Sequence, residues 1–154
     1  MVDDVKVACI QMNSGPDIQE NLVESGKLIQ QAARDGADFI LTPENTDFMR
    51  KSNELMLETA LDDNSHPGIP LFSEMASKHR VWLLIGSMKI KVSNTHVVNR
   101  SFLFRPTGQL MASYDKIHLF DVALTNGEKH KESDHVQAGT KAVVATTPWR
   151  KLGM

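Results

Sequence analysis

Apolar residues along this chain fall into short blocks divided by polar turns, and the blocks alternate between two periodicities. Val5 to Met12 is a brief apolar run with β-branched residues, which predicts a buried strand. Ser14-Gly15-Pro16-Asp17 marks a turn. From Ile18 to Arg34, apolar residues recur at Ile18, Leu22, Leu28, Ile29, Ala32 and Ala33, the spacing of one helical face. Asp17 is placed as the N-cap, Glu20 as the return arm of a capping box, and Gly36 as the glycine that stops the helix. Phe39-Ile40-Leu41 predicts a second strand. Strand, helix and strand with short joints form a βαβ unit, so these two strands should run parallel.

The second half of the pattern is richer in strands. A helical patch runs from about Arg50 to Leu61, and Ile69 to Lys78 predicts another helix on Leu71, Phe72, Met75 and Ala76. Val81 to Ile90 and Thr95 to Phe104 predict strands. Arg105-Pro106-Thr107-Gly108 is a tight turn, and Gln109 to Tyr114 returns from it, so Thr95 to Tyr114 should be a β-hairpin. From about Ala123 to Gly139 the chain is polar and reads as irregular. Lys141 to Thr147 predicts a last full strand, and Pro148 to Lys151 turns the chain. Leu152-Gly153-Met154 then reads as the start of a return arm cut short, which would leave backbone groups of the preceding strand unpaired at an edge.

Composition narrows the class without naming a function. A length of 154 residues with 41% hydrophobic and 23% charged residues suits one soluble globular domain. A net charge of −2 provides no electrostatic case for nucleic acid or an anionic membrane. The apolar runs are strand-sized, too short to span a bilayer, and Asp3 and Asp4 are opposite to the basic start of a secretory signal. One cysteine excludes an internal disulfide and a zinc–cysteine cluster. Together these favour the cytoplasm.

Two charged residues occupy unusual places. Glu44 follows Leu41-Thr42-Pro43, at the carboxyl end of a predicted parallel strand, where sites of open α/β sheets are built. Pro43 stiffens the exit of the chain, so Glu44 reads either as a rigidly displayed base or as a solvated loop glutamate. Lys116 lies among Ile117, Leu119 and Phe120, so it reads either as a half-buried ammonium needing a carboxylate partner or as a lysine snorkelling to the surface. Cys9 sits between Ala8 and Ile10 and reads as buried mid-strand core, not as a nucleophile. The stretch His130-Lys131-Glu132-Ser133-Asp134-His135 matches no metal-ligand spacing, and the isolated glycines form no phosphate loop.

Several stretches, taken together and in order, resemble the nitrilase, or carbon–nitrogen hydrolase, superfamily. They are Val7 to Met12, Gly36 to Glu44, Asn99-Arg100-Ser101, Tyr114 to Asp121, Glu132-Ser133, Gly139 and Thr147-Pro148. The resemblance implies an α/β fold, the N-terminal portion of a four-layer α-β-β-α sandwich, with a mixed sheet and helices on one face. It implies an amidase-type reaction on a small linear amide, closest to the omega-amidase and deaminated glutathione amidase branch, with no metal or organic cofactor. Glu44 would be the general base, Lys116 the cation for the oxyanion, and Glu132 the accessory glutamate of a Glu–Lys–Cys site. The family's cysteine would come on the strand after the last turn, just beyond Met154. Residues 1–154 are therefore expected to be a single partial domain that stops before its nucleophile and is inactive alone. The alternative is a non-catalytic remnant, or half of a split protein that pairs with a partner chain. The resemblance also implies a homodimer, while the charge and the short apolar runs lead to the expectation of no nucleic-acid or membrane partner.

Overall fold

The computed structural model describes residues 4–125 and 127–154. Its centre is a five-stranded mixed sheet in sequential order: β1 (Val7–Cys9), β2 (Phe39–Leu41), β3 (Trp82–Lys91), β4 (Val97–Phe104) and β5 (Leu110–Asp115). β1, β2 and β3 are parallel, and β4 and β5 add antiparallel to β3. The βαβ unit forms as its pattern predicts. Helix α1 spans Ile18–Arg34, Asp17 caps it by accepting from the Glu20 backbone N–H at 2.9 Å, and Gly36 leaves it at a φ of 82°. Two further helices, α2 (Asn53–Thr59) and α3 (Gly68–His79), lie between β2 and β3.

Alternation along the strands divides the core in two. Ile40, Leu83, Ile85, Phe102 and Phe104 face the helices and pack with Leu22, Ile29, Phe72 and Ala76. Phe39, Trp82 and Leu103 point to the other face. That face is covered in part by a hairpin, β8 (Val144–Thr146) with β9 (Lys151–Gly153), whose Trp149 ring meets Phe39 and Trp82 edge-on at 6.4 and 6.5 Å. The layering is thus helices, sheet, and the start of a second β layer.

Two expectations change. The run read as irregular from Ala123 to Gly139 contains an ordered return: β6 (Asp121–Ala123) pairs with β7 (Lys129–Lys131), followed by a 3-10 turn at Glu132–Asp134. Its residues are polar because the pair stands on the surface, so hydrophobic pattern carried no sign of it. The return arm at Leu152 forms as expected, antiparallel to the preceding strand through Ala145↔Leu152, and β8 has β9 as its one neighbour among the described residues. Cys9 is exposed, not buried. β1 is a three-residue edge strand, and with Ala8 and Ile10 turned onto the helical core, Val7 and Cys9 take the alternate face, which the β8–β9 hairpin covers only in part.

Two features of the sheet place the site. Register shifts between Ile85 and Met88, so β3 carries a bulge at Gly86-Ser87 beside the exit of β2. Ser87 turns its backbone and side chain toward that exit, accepting from the Thr46 and Asn45 N–H groups at 2.9 and 3.0 Å. On the far side, β5 ends at Asp115, against Gly139.

Candidate active site

Glu44, Lys116 and Glu132 come from three different places in the chain and meet at one point. Lys116 Nζ donates to Glu44 Oε1 at 3.1 Å and to Glu132 Oε2 at 3.1 Å. Lys116 is therefore not a snorkelling surface lysine, and Glu44 is not a free loop glutamate. Exposure falls across the trio, from 52% for the Glu44 side chain through 28% for Lys116 to 16% for Glu132. Glu132 is the deepest carboxylate, and Glu44 the one open to an incoming molecule.

Each member is held by its own backbone setting. The Thr46 hydroxyl lies 2.7 Å from both the Thr42 hydroxyl and the Pro43 carbonyl, closing the loop around Glu44. Asn45 takes a left-handed φ of 56°, which turns the chain sharply just after the glutamate. The Lys116 N–H donates to the Asn99 carbonyl, and its own carbonyl accepts from the Gly139 N–H, both at 2.9 Å. Glu132 Oε2 also accepts the Phe120 N–H at 2.7 Å, so the segment after Lys116 and the 3-10 turn are tied together.

Asn99 joins the two halves of this arrangement. It is buried in β4, its carbonyl holds Lys116, and its side-chain amide donates to Glu44 Oε1 at 2.6 Å. Sequence reasoning included Asn99 in a recognisable stretch but assigned it no task. Lys89 was missed altogether, although a lysine between Met88 and Ile90 in an otherwise apolar strand is a readable signal. A third feature had no signal: Asp47 and His66 are fully buried and face each other at 3.3 Å, with Asp47 Oδ2 also accepting the Lys89 N–H at 2.9 Å.

The charges settle each group's protonation. Burial pushes the Glu44 carboxyl up, but the Lys116 hydrogen bond and charge, the Asn99 amide and the charge of Lys89 together outweigh it, leaving it below its ordinary value. Burial pulls Lys116 down, and its hydrogen bonds to Glu132 and Glu44 outweigh that, holding it above the ordinary lysine value. At neutral pH this is a carboxylate beside a permanent cation. The carboxylate can accept a proton; the ammonium can only stabilise negative charge. Both line an open cleft of about 700 Å³, whose other walls include Met56, Phe120, His130 and His135. Cys9 is not on this cleft and lies in a separate groove beside Lys6 and Leu28.

The carbon-nitrogen hydrolase family profile matches residues 6–154, nearly the whole chain. The chain belongs to the carbon-nitrogen hydrolase family. Among curated relatives, it is 34% identical to the deaminated glutathione amidase of Yersinia enterocolitica over 151 residues, covering 96% of this chain and 52% of the relative. It is 28% identical to the omega-amidase NIT3 of Saccharomyces cerevisiae, covering 97% and 54%. The crystal structure of the Caenorhabditis elegans NitFhit protein superposes with a TM-score of 0.84 at 26% identity, over 96% of this chain and 36% of that one. Saccharomyces cerevisiae Nit3, a member of branch 10 of the nitrilase superfamily, superposes at 0.80 and 22% identity, which speaks for the fold alone. This carbon-nitrogen hydrolase chain spans about half the length of the curated relatives it matches.

Proposed function

We propose that this chain supplies the base and the lysine of an amidase site whose nucleophilic cysteine lies outside these residues. The observation that carries the proposal is the double ion pair of Lys116 with Glu44 and Glu132, at the carboxyl end of β2 and on the wall of an open cleft. Glu44 takes the proton of a cysteine thiol, and the thiolate attacks the carbonyl carbon of a small linear amide. Lys116 faces the oxyanion that forms, and Glu132 keeps Lys116 in place and charged. Collapse of the adduct breaks the C–N bond as the nitrogen is protonated, so ammonia leaves. Water activated by Glu44 then hydrolyses the thioester to the acid and regenerates the thiol. An aimed positive charge at the oxyanion contributes about 3 kcal/mol or more, and splitting the reaction at a thioester lowers both barriers. No step calls for a metal or organic cofactor. Homodimerisation and a cytoplasmic setting belong to the same proposal, the first resting on family resemblance and the second on composition; among the described residues no helix is long and apolar enough to cross a membrane.

A second reading, half of a split protein that works through a partner chain, is favoured by the sheet face opposite the helices. There Val5, Val7, Leu41, Trp149 and Leu152 border an open groove of about 350 Å³. One experiment separates the readings. The chain alone should release no ammonia from small amides. Joined to the C-terminal half of the Yersinia amidase, it should gain amide-dependent ammonia release that E44Q and K116M each abolish. Turnover by the chain alone that is lost in Cys9→Ala would overturn the proposal, as would a chimera indifferent to E44Q.

A further inference from the structure

Asn99 carries no charge, yet both proposed catalytic side chains lean on it. It is 3% exposed and sits in β4, across the ladder from Lys89 of β3. Its main-chain carbonyl accepts the Lys116 N–H at 2.9 Å, and its side-chain amide donates to Glu44 Oε1 at 2.6 Å. An ionised carboxylate is acceptor-only, so the amide must turn its NH2 group toward Glu44. A bond of this kind is short and strong because its acceptor is charged.

The two oxygens of Glu44 are unequally engaged. Oε1 takes both donors, Asn99 Nδ2 at 2.6 Å and Lys116 Nζ at 3.1 Å. Among the described residues Oε2 accepts no hydrogen bond, while the side chain as a whole is 52% exposed on the cleft wall. A proton brought to Oε1 would set an O–H against an N–H and an ammonium, and at least one of those bonds would break. A proton brought to Oε2 breaks neither. Oε1 then becomes the carbonyl oxygen of a neutral acid and goes on accepting from both donors. The surrounding charges leave this asymmetry in place. Lys116, after β5, sits on Oε1; Lys89 of β3 acts on Glu44 through space; Glu132 of the 3-10 turn is engaged with Lys116. His130 and His135 lie farther along the same cleft wall.

We infer that Asn99 is a positioning residue that selects the reacting oxygen: it locks Oε1, so that Glu44 works as a base through Oε2 alone. This rests on the amidase reading for the thiol that Glu44 meets. The S–H bond breaks, its proton bonds to Oε2, and the electron pair stays on sulfur. The same O–H later gives its proton to the departing nitrogen. The bonds on Oε1 survive both transfers, so the base needs no rearrangement between them. The Asn99 carbonyl holds the Lys116 main chain on the same support, which keeps base and cation at a fixed separation through the cycle.

The test reads Asn99 in the chain alone and its effect in the chimera. In labelled chain, the Asn99 side-chain amide proton that bonds Glu44 is followed by NMR while Glu44 is titrated through its carboxyl carbon. The proton should keep its downfield, hydrogen-bonded position below the Glu44 midpoint. A proton that moves to the position of a free amide as Glu44 titrates would overturn the assignment, because Oε1 would then have taken the proton. In the chimera, N99L keeps the bulk of the side chain and removes the donor. Its kcat should fall roughly 10–100-fold, the range of one hydrogen bond to a charged group, with KM unchanged. The acid limb of its rate profile should move to higher pH, since Glu44 loses one of the groups that hold it below its ordinary value. A slower N99L chimera with an unmoved acid limb would mean a merely structural role, and would also overturn the assignment. The wild-type amide signal gives an answer even where N99L does not fold. A parent chimera without turnover would sink the amidase reading, and the amide signal in the chain would still decide the lock on Oε1.

Discussion

Replacing Gly86 with alanine strikes the contact that delivers Glu44. Gly86 sits in the β3 bulge, with its backbone against the exit of β2. A Cβ built there lies 2.1 Å from the Thr42 carbonyl oxygen and 2.9 Å from the Pro43 carbonyl group. Ordinary contact begins at 3.4 Å, so the two backbones must part by about 1.3 Å. No flexible side chain can absorb this, because both obstacles are main chain. The hydrogen bonds across the gap are the Gly86 N–H to the Thr42 hydroxyl at 3.1 Å, Thr46 N–H to the Ser87 carbonyl at 2.9 Å and Asn45 N–H to the Ser87 hydroxyl at 3.0 Å. At about 1 kcal/mol each, losing all three costs about 3 kcal/mol, and overpacking strain adds to that loss. The urea midpoint of G86A should fall by at least about 1–2 M. The same shift moves Glu44 from Lys116, and a displacement of about 1 Å in a catalytic group costs roughly a hundredfold in rate, to be read in the chimera as ammonia release. Gly153 is the control: no atom lies within 4 Å of its added Cβ, so G153A should leave the midpoint unchanged. A G86A midpoint within about 0.3 M of the parent would refute the reasoning.

Three further outcomes follow from the site and core. In E132Q the Lys116 ammonium loses one of two anions that oppose its burial, so its pKa should drop, seen as a shifted NMR titration of the Lys116 side chain; an unmoved titration would mean that Glu132 does not hold the charge. Glu44 is depressed below its ordinary value of 4.5, so its contribution to stability is present above that pH and lost as the pH falls through the folded-state value. In K116M the burial that raises Glu44 is opposed by fewer groups, so acid loss of stability should begin at a higher pH, measured as urea midpoints across an acid series; coincident profiles would count against it. Phe72 is fully buried between α3 and the sheet, so Phe72→Ala should destabilise by about 3–5 kcal/mol in the same assay, and a loss under 1 kcal/mol would contradict the packing described.

The sequence by itself determined the βαβ unit, the β4–β5 hairpin and the ends of α1, because these depend on local periodicity, a capping aspartate and a stopping glycine. Its motif order also pointed to the family and to Glu44, Lys116 and Glu132. Only the tertiary structure decided that the three side chains touch, since Glu44 and Lys116 stand 72 positions apart and no local rule spans that distance. It alone showed Asn99 bridging the two, because an asparagine in a strand has no pattern until its cross-strand neighbours are known. The β6–β7 pair escaped the pattern since its strands bury almost nothing, and its order comes from backbone pairing and the Glu132 carboxylate tied to the Phe120 N–H. Cys9 shows the reverse error. Its flanking residues are apolar, but an edge strand has one covered face, and which face a residue takes is settled by the sheet order and the helix packed on it.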